Sequence, residues 1–197
     1  GPFANAGEMS LRHFRAAAEW VVAPRPGARF EIVGFDNRAS AQETLAQLRL
    51  AIDQGFRYIV QGQSSAAALA LADAIDKHNE RDPHRSIVFL NYAALDPDLT
   101  NSKCSFWHFR FDAHSDMRLE ALLETLAADR GVKSVFVIGQ NYSFGQQVSR
   151  GTREILARKR PEVRIVGDEL HPLGQVKDFA PYAAKIKASG ADAIVTG

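Results

Sequence analysis

The sequence predicts an α/β protein made of two lobes, each a doubly wound parallel sheet, and three observations carry that reading. Six short apolar runs end in polar or glycine-rich turns, starting at Phe30, Tyr58, Ser86, Ser134, Val163 and Asp192. The step between starts is 28 residues in the first three and 29 in the last three, the length of a strand plus a crossover helix. The 48 residues from Ser86 to Ser134 break the rhythm and divide the series into two sets. A ligand cleft between two lobes is the functional idea that follows.

In chain order, Leu11, Phe14, Ala18 and Val21 share one face of a helix from Met9 to Val22, which Pro24 and Pro26 end. The first strand is expected at Phe30–Gly34. Asp36, Asn37 and Ser40 then offer turn and cap chemistry before a helix lined by Leu45, Leu48 and Ile52 and closed at Gly55. A strand at Tyr58–Val60 turns through Gly62-Gln63-Ser64-Ser65 into an alanine-rich helix, Ala66 to Asn79, and Pro83 precedes the strand Ser86–Leu90. From Ser105 to Phe111 the residues alternate, with Trp107, Phe109 and Phe111 on one side and His108 and Arg110 on the other. This segment is expected to carry the chain toward the second lobe, with a hinge near Phe111 to Ser115.

The second lobe opens with a helix striped by Leu119, Leu122, Leu123 and Leu126 and ended at Gly131. The strand Ser134–Ile138, the turn Gly139–Gly145, a helix bearing Val148, Thr152, Ile155 and Leu156, and the strand Val163–Gly167 follow. The turn Leu170–Gly174, a helix with Phe179, Ala183 and Ile186, and the strand Asp192–Val195 complete the series. Residues 1–111 form the expected first lobe, lacking its first strand, and residues 112–197 an incomplete second one. The chain thus reads as truncated at both ends, with no signal-peptide pattern at its start.

Composition narrows the function. With 46% hydrophobic residues and 24% charged, the chain has the aliphatic content for real cores, which excludes disorder. A formal net charge of +1 with scattered basic residues gives no footprint for nucleic acid. The densest basic cluster, Arg158-Lys159-Arg160, sits where cations oppose the negative end of a helix dipole. No apolar stretch reaches the ~20 residues that span a bilayer. Cys104 is alone and reads as a small buried apolar side chain. The six histidines show no paired ligand spacing, and no nucleophile elbow, phosphate loop or dinucleotide fingerprint is present. Neither metal, cofactor nor catalysis is expected.

In parallel α/β sheets the turns after the strands gather on one edge, where ligands bind. Ser64 and Ser65 lie between a strand and a helix, where two roles are open: capping the helix, or holding a carboxylate on free N–H groups at the positive dipole end. Tyr142 and Phe144 hold the equivalent place in the second lobe and are candidates for a cleft wall, as is Tyr92 after the third strand. Each aromatic residue has packing as its alternative role.

With these turns located, the chain resembles the type I periplasmic solute-binding proteins of ABC transporters, in the leucine/isoleucine/valine-binding group. The resemblance rests on Gly1-Pro2-Phe3-Ala4, Gly62-Gln63-Ser64-Ser65, Ala93-Ala94 followed by Asp96-Pro97-Asp98-Leu99-Thr100, Tyr142-Ser143-Phe144-Gly145 and Ala191-Asp192-Ala193-Ile194-Val195. It implies that Ser65 binds a ligand carboxylate and that the backbone at Ala93 and Ala94 adds polar contacts. Leu95 stands where amino-acid binders of the family commonly place a threonine, Ala6 replaces a residue often aromatic, and Phe144 one often tyrosine. The resemblance therefore implies a small organic carboxylate, an amino acid or an aromatic or apolar acid, delivered to membrane permease subunits by a monomeric periplasmic protein. A sensor domain of the same fold, feeding a regulator or receptor, is the alternative. The Phe106-Trp107-His108-Phe109-Arg110 run is similar to that of relatives associated with aromatic carboxylates.

Overall fold

The computed structural model describes residues 4–25, 27 and 29–197. Two three-stranded parallel sheets organise it. The first has the order β1 (Tyr58–Gln61), β2 (Val88–Asn91), β3 (His108–Arg110), and the second the order β5 (Arg164–His171), β4 (Ser134–Gln140), β6 (Ala193–Thr196). Helices α1 (Ala4–Val22), α2 (Ala41–Asp53) and α3 (Ser65–Arg81) belong with the first sheet, and α4 (Ser115–Ala128), α5 (Ser143–Lys159) and α6 (Ala180–Ser189) with the second. The fold class expected from the repeat is the one observed.

Each sheet carries its own core. Leu48 from α2 and Ala68, Leu71, Ala72 and Ile75 from α3 close over Ile87 and Phe89, with Ala94 and Leu99 sealing the strand-end side. Leu119 and Leu123 from α4 and Val148, Ile155 and Leu156 from α5 pack on Val135, Val137, Val163 and Val195. Each such aliphatic side chain, fully buried, contributes roughly 1.5–3 kcal/mol. The small alanines of α3 let that helix lie close to its strands, and α3 also packs against α5.

Several local expectations are corrected. Phe30–Gly34 forms neither helix nor strand and pairs with no strand among the described residues, and Phe30 and Val33 are exposed. Gly34 lies directly against Leu11 of α1, where a Cβ would come within 2.8 Å of a leucine methyl. The Ser105–Phe111 segment does not simply cross over. Its central residues are β3, the third strand of the first sheet, with Phe89 opposite His108 and Asn91 opposite Arg110. Its buried side carries His108, while Phe109 and Phe111 face outward, because the core beneath β3 is already filled by Phe89 and Leu99.

Helix α1 begins earlier than expected, at Ala4, and Ala6 on it is exposed; Gly1 to Phe3 lie outside the described residues. Strand β5 runs on through Leu170 and His171, expected as turn. Cys104 is exposed rather than buried, since it sits in the turn before β3. The basic cluster ending α5 ties the helix to α4 instead of only facing its own dipole. Arg158 and Lys159 pair with Glu120, and Lys159 also with Glu124. Arg160, buried, donates from Nη1 to the carbonyls of Ala127 at 3.0 Å and Asp129 at 3.2 Å, and from Nη2 to Val132 at 3.1 Å.

Candidate functional site

Strand β1 delivers the chain at Gln61 to Gly62, whose lack of a side chain is a packing requirement: a Cβ there would sit 2.5 Å from the Ala93 nitrogen. The turn after β1 therefore lies against the turn after β2, and both gather at one edge of the first sheet. Ser64 has extended backbone angles, φ −154° and ψ 123°, and its hydroxyl accepts from the Ala67 N–H at 3.3 Å. It is the N-cap of α3, satisfying one of the orphan donors of the first turn. Ser65 is the first residue inside the helix. It is 3% exposed, and its hydroxyl makes no hydrogen bond among the described residues. The division of labour left open in the sequence is thus resolved in part: Ser64 caps, and Ser65 is left with an uncommitted hydroxyl beside the helix's positive end.

Asn91 ends β2 fully buried and shapes the following turn. Its Oδ1 accepts from the N–H groups of Ala93 at 3.1 Å and Ala94 at 2.7 Å, and its Nδ2 donates to the Ala94 carbonyl at 3.0 Å. The Ala93 and Ala94 N–H groups are therefore engaged within the turn. Within Ala93–Leu95, the backbone groups that make no hydrogen bond among the described residues are the Ala93 carbonyl and the Leu95 N–H. The Leu95 carbonyl accepts from the Ser115 N–H at 2.9 Å, tying the turn to the start of α4. Tyr92 turns toward α1: its ring meets Phe14 edge-on at 5.2 Å, and Gln63 donates to its hydroxyl at 2.8 Å and to Ser10 Oγ at 3.2 Å. Of the two roles open to Tyr92, packing accounts for these contacts.

On the second sheet, Tyr142 is the N-cap residue of α5 and Phe144 lies two residues into the helix, the ring centroids 6.1 Å apart. Phe144 packs partly on the second core. Burial pushes the Tyr142 phenol up to about 12. The Ser143 hydroxyl between them is buried without a hydrogen-bond partner among the described residues. Asp96, buried in the turn that follows Leu95, approaches across from the first sheet, with Gln147 Nε2 of α5 at 3.5 Å. Burial raises the Asp96 carboxyl above the ordinary carboxylate range, Asp98 and Asp116 add to the effect, and the Asp98 N–H and Arg150 oppose it.

The sequence reading brought out Ser64, Ser65 and the Tyr92–Leu95 turn but missed Asn91. Its signal was present: an Asn directly after an apolar strand and before a tight turn is the usual side-chain organiser of such turns. Asp96 and Gln147 carry no comparable local signal, since their meeting depends on two segments 51 residues apart.

Parallel sheets whose strand-end turns present a helix N-terminus and a serine hydroxyl free of hydrogen bonds among the described residues have the form of a binding fold for small solutes. The model of the periplasmic binding protein family matches residues 1–197, and the chain belongs to that family, in its type I branched-chain amino-acid group. It is 32% identical over 173 residues to the Leu/Ile/Val-binding protein homolog 4 of Brucella abortus, covering 87% of this chain and 41% of that protein. Among solved structures it is similar to the leucine-, isoleucine-, valine-, threonine- and alanine-binding protein of Brucella ovis in its closed conformation. That match has 27% identity and a TM-score of 0.74, over 96% of this chain and 49% of the other. A solute-binding protein of an R. palustris ABC transporter in complex with benzoate shares the fold, with a TM-score of 0.83 at 16% identity over 100% of this chain and 52% of the other. The chain thus spans about half the length of the relatives it matches.

Proposed function

We propose that this chain is the ligand-capturing part of a periplasmic substrate-binding component of an ABC importer. It takes a small carboxylate-bearing solute between a lobe of residues 1–111 and a lobe of residues 112–197, without chemical change to the solute, and hands it as a monomer to the membrane permease subunits. The observation that carries this reading is Ser65, a buried residue whose hydroxyl makes no hydrogen bond among the described residues, at the first position of a 17-residue helix. A hydrogen bond from such a hydroxyl to a charged acceptor contributes roughly 1.5–3 kcal/mol, and the helix N-terminus favours the same anion.

The Ala93 carbonyl and Leu95 N–H supply the polar contacts of the neighbouring turn, with Ala94 as part of its floor, while Tyr142 and Phe144 supply an apolar wall from the second sheet. Ser64 acts through the helix it caps, and Tyr92 through its contact with α1. Leu95 brings no side-chain hydroxyl to an α-ammonium, and a buried ammonium without partners carries a large desolvation cost. The body of the solute is accordingly apolar or aromatic. Both ligand chemistries occur among the similar proteins, amino acids in the Brucella ovis protein and benzoate in the R. palustris one.

A thermal-shift comparison of leucine, isoleucine and valine against benzoate tests the choice. A ligand at ~100 times its dissociation constant stabilises the protein by about 2.7 kcal/mol. Stabilisation by benzoate is the expected result; stabilisation by the amino acids alone overturns the apolar-acid reading and leaves amino-acid capture.

A further inference from the structure

Two buried polar side chains, Asn91 and His108, meet under the strand ends of the first sheet, with half-buried Gln61 on the neighbouring strand. Gln61 closes β1 opposite Asn91 of β2, and both of its amide atoms are buried without partners among the described residues. Asn91 is fully buried, and His108 of β3 is 7% exposed with its ring centroid 4.9 Å from that of Phe89.

The hydrogen bonds of Asn91 fix its orientation. Two backbone N–H groups, those of Ala93 and Ala94, point at one side-chain atom, so that atom is the carbonyl oxygen and the other is the amide nitrogen. The nitrogen has two hydrogens and two neighbours, the Ala94 carbonyl at 3.0 Å and His108 Nε2 at 3.2 Å. His108 Nε2 then accepts, which places the imidazole proton on Nδ1, a buried atom with no hydrogen-bond partner among the described residues. Gaining a second proton would set an Nε2–H against the Asn91 N–H. Relieving that clash by turning the amide over would point its NH2 group at the Ala93 and Ala94 N–H groups and break both bonds.

We propose that Asn91 is the positioning residue of the Ala93–Leu95 turn and that neutral His108 locks it, so that protonating His108 loosens the turn and weakens ligand capture. The link to capture rests on the proposed function; the coupling between His108 and the turn does not. Burial lowers the affinity of His108 for a second proton, Arg110 on the same strand acts in the same direction, and the Leu99 carbonyl and Asp76 of α3 oppose them. The lock is therefore closed at neutral pH and opens on acidification below the ordinary histidine range.

The test is nitrogen-15 NMR on the full chain from about pH 7.5 to 5, with affinities for benzoate and leucine measured over the same range. The neutral Nδ1–H tautomer is expected at neutral pH, with the Ala93 and Ala94 amide signals moving at the His108 midpoint. The affinity for whichever probe binds falls by about fivefold, the worth of one hydrogen bond. In Asn91→Asp the carboxylate facing Nε2 favours the imidazolium, so the His108 midpoint rises by about one pH unit or more. In His108→Leu the turn amides no longer respond to pH. An Nε2–H tautomer, turn amides that ignore the His108 titration, or an unmoved midpoint in Asn91→Asp overturns the proposal. Failure of both probes to bind counts against the ligand class alone, because the NMR readout needs no ligand.

Discussion

Helices α3 and α5 start at corresponding places on the two sheets, yet they solve the same problem differently. At α3 a serine cap accepts from the third helical residue, Ala67, and the next serine is left uncommitted. At α5 the N-cap residue is Tyr142, with no side-chain cap hydrogen bond, and the third helical residue is Gly145. A Cβ on Gly145 would fall 1.8 Å from the Gln140 carbonyl oxygen, so the first turn of α5 presses directly on the end of β4. One helix start is held by hydrogen-bond chemistry and the other by close backbone packing; each leaves the hydroxyl of its first residue, Ser65 or Ser143, without a hydrogen bond among the described residues, and the second adds aromatic surface. On the proposed function, the anion sits at the first and the apolar body at the second.

The largest effect that distinguishes the two comes from Gly145→Ala. Backbone cannot yield as a flexible side chain does, so about 2–3 kcal/mol of stability is lost, in the upper part of the range for overpacking. Urea denaturation measures it, and a loss below about 0.5 kcal/mol would show that α5 is not seated by contact. Ala67 already carries a Cβ at the matching position of α3.

The serine pair separates next. Ser65→Ala weakens ligand binding by about ten- to a hundredfold and leaves the fold intact, the value of a hydrogen bond to a charged acceptor. Ser64→Ala instead lowers stability by about 1 kcal/mol through the lost cap. Calorimetry on both variants decides, and an exchange of these two outcomes would reverse the assignment of the serines.

The smallest effect is one of pH. The folded-state pKa of Tyr142, about 12, stands above the ordinary phenol value of about 10. The unfolded chain then loses this proton first, so the contribution is fully present below about pH 10 and is lost as pH rises through about 12. Melting temperatures of wild type and Tyr142→Phe should converge or cross only in that window. Parallel curves up to pH 12 would mean that the phenol ionises as easily folded as unfolded.

Periodicity made the two sheets legible because parallel strands buried on their faces read as apolar runs at crossover spacing, as at Ser134–Ile138 and Val163–Gly167. It misled at Phe30–Gly34, where the apolar run is present but no ladder partner is found among the described residues. A run reports what a segment can bury, not what pairs with it. The aromatic alternation at β3 gave the strand but not its polarity, since which face turns inward depends on the volume already taken by Phe89 and Leu99. At the candidate site, Ser64 and Ser65 were legible as a helix start. That one caps and the other stays uncommitted is a matter of one residue's register and needed the backbone angles. Asn91 was overlooked because a polar residue at the end of an apolar strand looks like the end of burial, whereas here it is the most enclosed residue of its turn.

Arg160 links segments that are distant in sequence. Its guanidinium donates to the last carbonyls of α4 and to that of Val132 before β4, while its backbone N–H donates to the Leu156 carbonyl at the end of α5. A buried cation stripped of these acceptors costs several kcal/mol, so neither helix end can fray while the other holds. The last turns of α4 and α5 are thereby fused into one cooperative opening unit. Together with the Lys159 pairs to Glu120 and Glu124, this side chain sets the smallest piece of the second sheet's cover that can come loose in the native state.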